Sequence, residues 1–599
     1  MSYIRSWWRE ALLATFTLCY LLPFVRRGWV PHDEGTIAGD AVRLLGDELP
    51  HVGFEDPYTG GMTWFYAGLF WLLGTDAVWI RWALLCAAVL TVVVWYRITL
   101  RFASPPVAMG VAFTSLLWSF PNYFAGLPSW WNVSFVSVAA LAMMQHAENG
   151  RRRWLLLAGF WLGVASAFKQ TGIYLVAAAI LVLFHDEQRS RHQTSALPPS
   201  TWVRVATVAM CMAGAMFVIG AHPTLAVIVI VLAPILLVCL YVVADARRSD
   251  RASWTPRRWL KVGGVFAVGY CMPLVAVAAP YVISSSLPEF LYGALVLPQQ
   301  RSSHAALDLP SLWLSIALVP PLVGVASWAA SGRLWSDTWT LLLAWLMPPV
   351  ILVAYRSVIG YQLIWNAYRS GAALATLAAV VWLWKADRRA DTHARPLYIL
   401  ATTTAFIGLY QIPFAAPIYL CYVAPFAILT LFSMLSVSGS AARRVRLPLL
   451  AGMALFASLS LNRGYIWNLG LKHSVANFDT ELGLARAHLK VSKEDWFQYR
   501  RLVELVRVHA RGAHIHAFPD CPEVYFLTNT DNPTPANFEF FHPSDVSETR
   551  RLWDVAKVAL VVVNHRPRFS PRPSGALLTE VRNTFPHAET AGQFEIRWR

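Results

Sequence analysis

Apolar positions along this chain come in long uninterrupted runs rather than in short alternating ones. Runs of roughly 18 or more residues match the thickness of a bilayer core. They fall at about 8–28, 77–99, 105–121, 130–147, 154–169, 171–186, 203–220, 222–243, 262–282, 311–330, 338–355, 363–384, 397–412, 415–436 and 447–462. The pattern predicts a polytopic α-helical membrane protein with about fifteen transmembrane helices. Two apolar stretches break the pattern. GTIAGDAVRLLGDEL places Ile37, Ala41, Leu44 and Leu45 near helical spacing, and MTWFYAGLFWLLG is too short to span. Both are expected as helices lying along a membrane surface.

After about Asn462 the pattern changes. SKEDWFQYRRLVELVRVHAR puts Trp496, Tyr499, Leu502, Leu505 and Val506 on one face of an amphipathic helix. HIHAF, VYFL, VALVVV and FEIRW read as short strands between turn-forming residues. The expected organisation is a membrane part over 1–462, with a first outer loop at 29–76, and an extracytoplasmic soluble α/β domain over 463–599. No P-loop or GxGxxG motif marks the tail as nucleotide-binding.

Composition alters this picture little. The net charge is +16, but the excess sits in short connections such as ENGRRRW, DARRSDRASWTPRRW and KADRRADTHAR. Basic connections alternate with Lys/Arg-poor ones, so topology accounts for the charge and nucleic acid is not indicated. The alternation puts the N-terminus in the cytoplasm, and the first loop and the tail outside, as in a bacterial-type inner membrane protein. The first run lacks an Ala-x-Ala-type cleavage site and is expected to stay as a signal anchor. Six of the seven cysteines lie in apolar runs, and no spacing suggests a disulfide framework or a zinc site.

Candidate chemistry concentrates in Trp29–Thr63, which holds seven carboxylates in a chain that is 14% charged. Asp33 and Glu34 follow the first apolar run. A partly shielded carboxylate there suits a general base or a metal ligand, although acids also mark helix ends in solvent. Glu55 and Asp56 return between the two short helices, where Asp-Pro also suits a plain turn. Asp40, Asp47 and Glu48 read as the wet side of a helix. Lys169 and Gln170 sit between two apolar runs, where a lysine is functional by default or snorkels to the interface. Arg301 follows Gln299 and Gln300 in an outer connection, with His304 nearby. Arg369 lies just inside an apolar run, in reach of a lipid phosphate or of a structural carboxylate. Arg356 is a weaker candidate of the same kind. Tyr419 and Tyr422 share a helix face that lines a lipid groove or belongs to the aromatic belt.

HDEGTIAGDAVRLLG, FEDPYTGGMTWFYAGLFWLLG, FKQTGIYL and PIYLCYVAPF together resemble segments of the GT-C superfamily of membrane glycosyltransferases. FPDCPEVYFLTNTDNPTPANFEFF is similar to the soluble tail of many bacterial members. The superfamily includes protein O-mannosyltransferases and the lipid A aminoarabinose transferase. The resemblance implies a polyprenyl-phosphate-linked sugar as donor and a protein, lipid or glycan acceptor on the outer face. It implies inversion at the anomeric carbon, with Asp33 as base, Glu34 beside it and Asp56 as second acid. Lys169, Arg301 and Arg369 become candidates for the donor phosphate, and Gln170, Tyr419 and Tyr422 for the lipid or sugar groove. Some relatives use a divalent metal at this loop, which here would fall to Asp33 and Glu34. From Asp56 on the chain reads DPYTGGM where many relatives carry a Lys or Asp followed by Pro-Pro. The competing expectations are a transporter or flippase of a lipid-linked glycan or polymer precursor, which should show repeat symmetry, and a non-enzymatic assembly subunit.

Overall fold

The structure, a computed structural model, describes residues 7–189, 201–220, 223–248, 256–299, 306–311, 337–386, 392–463, 478–539 and 545–599. Helices occupy the expected apolar stretches within these residues; the stretch at 311–330 lies outside them from residue 312 on. Among the described residues, six helices are long and apolar enough to cross a membrane. They are Trp7–Val25, Ala77–Thr99, Leu225–Ala244, Leu260–Ile283, Pro417–Val437 and Ala442–Leu461. Others, such as Gly371–Lys385, are apolar but shorter. The chain is a multi-pass membrane protein.

The stretch expected as one span at 363–384 is two helices, Val358–Arg369 and Gly371–Lys385. Ser370 stands between them at φ −81° and ψ 0°. The interruption leaves Arg369 at a helix end, where its guanidinium donates to the Ala415 carbonyl at 2.6 Å.

The first loop forms the two short helices expected, Pro31–Leu45 and Gly61–Leu73. The second is half lipid-like: Tyr66, Ala67 and Phe70 are buried while Trp71 and Leu72 are exposed. The first does not lie on a surface. His32, Glu34, Gly35, Ile37, Ala38, Asp40, Ala41 and Leu44 are all buried, because the C-terminal part of the chain covers it. Asp40 is therefore not on a wet helix side; it is 2% exposed and accepts from Asn537 Nδ2 at 2.8 Å. Burial, then the charge of Asp56, raises its carboxyl well above the usual range. Asp47 is exposed and Glu48 pairs with Arg43 at 2.6 Å.

The C-terminal part holds a four-stranded sheet in the order β3 (Ile515–Phe518), β4 (Leu560–Asn564), β6 (Phe594–Trp598), β5 (His587–Ala591). β3 and β4 are parallel and the other pairs antiparallel. A separate two-stranded ribbon joins β1 (Thr480–Glu481) to β2 (Lys490–Val491). The period of two puts Leu560 and Val562 on one face of β4 and Val561 and Val563 on the other. The first pair joins a continuous apolar core that extends into the membrane helices. The second packs with Trp553, Leu577 and Phe585. This two-sided burial explains the unbroken apolar run LVVV.

VYFL is not a strand. It lies in the helix Pro522–Thr528, which begins at a proline and ends on Asn529 in the left-handed region, φ 55°. Proline pre-sets the first helical φ, and asparagine tolerates the left-handed cap. Four apolar residues cannot by themselves distinguish a strand from a buried helical turn. β5 escaped notice because its HAETA sequence is polar and it sits at the sheet edge.

The tail and the first loop close on each other. A Cβ on Gly35 would stand 2.5 Å from Glu523 Cβ and 2.6 Å from its Cα, so only glycine admits the Pro522–Thr528 helix this near. Glu55 N–H donates to the Pro535 carbonyl at 2.9 Å, and the Trp29 ring meets Tyr499 at 4.6 Å between centroids. Asp76 pairs with His488.

Candidate active site

Asp33 sits in the first turn of the Pro31–Leu45 helix, where the helix N-terminus favours a negative charge. Its side chain is 17% exposed, and its Oδ2 accepts from the Tyr123 hydroxyl at 2.6 Å. His32 Nε2 lies 3.5 Å from the same oxygen. Tyr123 ends a 3₁₀ turn, Phe120–Tyr123, and its carbonyl accepts from Trp130 Nε1 at 2.8 Å. Burial, reinforced by the Asp33 charge, pushes the Tyr123 phenol well above its usual range, so it remains a donor.

Asp33 faces a cavity of about 110 Å³. Lys169, Tyr419, Tyr422, Tyr58 and Ser129 also line it. Lys169 follows the Arg152–Phe168 helix with extended backbone. Its ammonium donates to Ser129 Oγ at 2.8 Å and stands 5.7 Å and 5.5 Å from the Tyr58 and Tyr419 ring centroids. Two aromatic faces thus hold the cation in place at the cavity wall. Tyr419 and Tyr422 come from the first turns of Pro417–Val437, with their rings 5.7 Å apart.

The segment DPYTGGM explains how that wall is built. Asp56 accepts from Tyr58 N–H at 2.8 Å and from Thr63 Oγ1 at 2.5 Å, which tightens the turn. Thr59 Oγ1 donates to the Ser166 and Ala167 carbonyls. Gly60 has φ +87°, and a Cβ on Gly61 would stand 2.5 Å from the Ala167 oxygen. The turn therefore docks onto the corner that carries Lys169, and Tyr58 meets the ammonium. Asp56 is 1% exposed and does not line the cavity.

Glu34 points elsewhere too. Its carboxylate takes two hydrogen bonds from Arg81, Nε to Oε1 and Nη2 to Oε2, both 2.7 Å. It also accepts from Val30 N–H at 2.9 Å. The pair is buried, with side-chain exposures of 2% and 1%. Gln170 Nε2 donates to the Ala294 carbonyl at 3.1 Å and lies outside the cavity lining, as does Arg369. Arg301 and His304 lie outside the described residues. Of the residues singled out in the sequence, Asp33, Lys169, Tyr419 and Tyr422 meet at one cavity.

Four partners are not singled out by the sequence reading. Tyr123 lies in a connection rich in aromatics. Arg81 is masked by the apolar run around it, although an arginine inside such a run is itself a flag. Ser129 and Phe569 are ordinary residues made relevant only by the fold. Among the described residues, no three His, Cys, Asp or Glu side chains converge as a metal site. Glu34, one of the two ligands the resemblance offers, is committed to Arg81.

Residues 60–216 match the family model of dolichyl-phosphate-mannose-protein mannosyltransferase. The match spans about a quarter of the chain and includes Tyr123, Ser129 and Lys169. No curated protein matches. Among solved structures, the chain is similar to the Archaeoglobus fulgidus oligosaccharyltransferase tethered with an acceptor peptide. The identity is 12% and the TM-score 0.45, over 94% of this chain and 70% of that one. It is also similar to ArnT from Cupriavidus metallidurans in the apo state, with 12% identity and TM-score 0.38 over 100% of this chain and 98% of that one. The ArnT structure bound to undecaprenyl phosphate gives a TM-score of 0.36 at the same identity, over 98% and 97%. These structural likenesses are too distant to carry a functional reading. The likeness to a glycosyltransferase family thus rests on residues 60–216, the segment that holds Tyr123, Ser129 and Lys169.

Proposed function

We propose that the protein moves a sugar from a polyprenyl-phosphate-linked donor to an acceptor hydroxyl at the outer face of the membrane, with Asp33 as general base. The observation that supports this reading is that Asp33 and Lys169 line the same cavity. A carboxylate and an ammonium across one space suit an in-line displacement. Asp33 takes the acceptor proton, the acceptor oxygen attacks the anomeric carbon, and the sugar–phosphate bond breaks with its electron pair on the phosphate. Attack opposite the leaving group inverts the anomeric configuration. Lys169 faces the charge that develops on the phosphate. Tyr419 and Tyr422 flank the route by which a lipid chain reaches the cavity from the membrane side.

The other candidates take supporting roles. Glu34 with Arg81 fixes the start of the helix that carries Asp33, rather than acting as a second base. Asp56 holds the turn that presents Tyr58 to Lys169. Arg369 anchors the Ala415 carbonyl just before the helix that bears Tyr419. The outer placement of the first loop and tail, and a bacterial-type inner membrane, follow from the charge alternation of the connections.

The test is Asp33→Asn in membranes supplied with undecaprenyl-phosphate-mannose. Sugar transfer should fall by about two to four orders of magnitude at unchanged protein level, the size expected for loss of a general base. Transfer that survives removes Asp33 from this role.

A further inference from the structure

The membrane helices do not complete the cavity. Phe569, from the connection after β4, lines it as well. Its ring meets His32 at 5.3 Å, steeply tilted, and Phe538 at 5.9 Å, edge to face. One carboxylate holds this connection. Asp520 Oδ2 accepts from the backbone N–H of Arg568 at 2.9 Å, Phe569 at 2.6 Å and Ser570 at 2.7 Å. Its Oδ1 accepts from Ser570 Oγ at 2.5 Å. Asp520 is 4% exposed and follows β3 by two residues. Charge-assisted bonds to three successive amides fix a loop far more firmly than its turn residues would. The sheet, through Asp520, therefore sets the position of Phe569, and the Gly35–Glu523 approach sets the sheet against the Asp33 helix.

In-line displacement orders the participants. The acceptor hydroxyl lies next to Asp33, the sugar follows, and the phosphate lies beyond it towards Lys169. Phe569 stands against His32, the neighbour of Asp33, and so on the acceptor side. We propose that Phe569 is the acceptor-side wall and selects the acceptor, with Asp520 as its positioning residue. This rests on Asp33 as the base. An aromatic ring there favours an alcohol whose carbon framework presents an apolar face. It also keeps that space from filling with water, which would otherwise compete as acceptor. With either acceptor the bookkeeping is the same: the O–H proton goes to Asp33, an O–C1 bond forms, and the C1–O(phosphate) bond breaks.

Partition of the donor tests this. Membranes holding the full-length protein receive labelled undecaprenyl-phosphate-mannose, and both label on membrane acceptors and free mannose from hydrolysis are counted. Phe569→Ala should lower the ratio of transfer to hydrolysis by about tenfold, while Phe569→Tyr stays within about twofold of wild type. Asp520→Asn should lower the ratio in the same direction and speed hydrogen exchange at the 568–570 amides specifically. An unchanged ratio in Phe569→Ala overturns the wall. Unchanged exchange in Asp520→Asn overturns the positioning role, whatever the donor. If Asp33→Asn spares both products, the base assignment fails while the Phe569 ratio still reports on the wall.

Discussion

The Tyr123 hydroxyl donates to Asp33 Oδ2 at 2.6 Å, across 90 residues of sequence. The bond ties the connection between the Pro105–Leu117 and Pro128–Asn149 helices to the first turn of the loop helix; on the proposed reading, the other carboxylate oxygen of Asp33 takes the acceptor proton. Tyr123→Phe removes the donor and keeps the ring. If Asp33 is the base, sugar transfer should fall about tenfold, chiefly in the maximal rate, because one oriented bond to that carboxylate is lost. Kinetics against donor concentration check this; a pure rise in donor KM would mean that Tyr123 acts on binding instead.

Glu34 and Asp33 are adjacent acids with opposite expected behaviour. Glu34→Gln leaves the Arg81 guanidinium buried without its counter-charge, which costs on the order of 3–5 kcal/mol. Protein yield and melting temperature should drop sharply, and an added Arg81→Met should recover part of the loss. Asp33→Asn should leave both nearly unchanged and remove activity. If Glu34→Gln were stable and inactive, it would belong to the chemistry.

The sequence made the membrane class plain because a bilayer demands long apolar runs and little else. It also pointed to Asp33 and Lys169, since a charge next to an apolar run is costly wherever it sits. The residues alone do not separate Asp33 from Glu34, because the difference is Arg81, 47 residues away, and only the family resemblance puts Asp33 first. Asp40 was misread for a related reason: helical spacing gives two faces, but only the tail decides that both are covered. Phe569 carried no sign at all. Its relevance comes from four hydrogen bonds to Asp520, a contact between parts of the chain about fifty residues apart.

Gly35 tests whether the loop and tail fold as one unit. Gly35→Ala puts a methyl group 2.5 Å from Glu523 Cβ and 2.7 Å from its backbone nitrogen. The neighbour there is backbone, so the Pro522–Thr528 helix must retreat. Overpacking of this kind costs about 1–3 kcal/mol. The expected result is faster proteolytic release of the tail from solubilised protein, together with weaker transfer. Equal cleavage rates in the two proteins would show that the contact is dispensable.

Lys169 should act on the donor rather than the acceptor. Lys169→Met keeps the apolar stem between Tyr58 and Tyr419 and removes the charge. Donor KM should rise about tenfold or more, with a smaller loss in maximal rate. Quenching of intrinsic fluorescence by undecaprenyl phosphate alone should weaken in parallel. Lys169→Arg should recover only part of the affinity, because the planar guanidinium cannot reproduce the compact contact with Ser129.

Glu523 makes the joint between tail and loop sensitive to pH. Burial raises its carboxyl to about 8, and Tyr499 donates to one of its oxygens at 3.2 Å. Its other oxygen has no partner among the described residues, which suits a protonated acid. The native state thus holds a proton that the unfolded chain releases near its ordinary value of 4.5. Where the native state binds more protons, stability falls as pH rises. The contribution of Glu523 is therefore fully present below about 4.5, declines through the interval, and is lost above about 8. Burial holds His516 down near 4, which works in the opposite sense at the acid end, while Glu539, also raised to about 8, and the raised Asp40 work in the same sense as Glu523, so the wild-type curve alone mixes them. Glu523→Gln separates them, because the amide mimics the protonated acid and does not titrate. The melting temperature of the solubilised variant relative to wild type should increase steadily from pH 5.5 to pH 8.5. A constant difference across that range would mean that Glu523 does not titrate there.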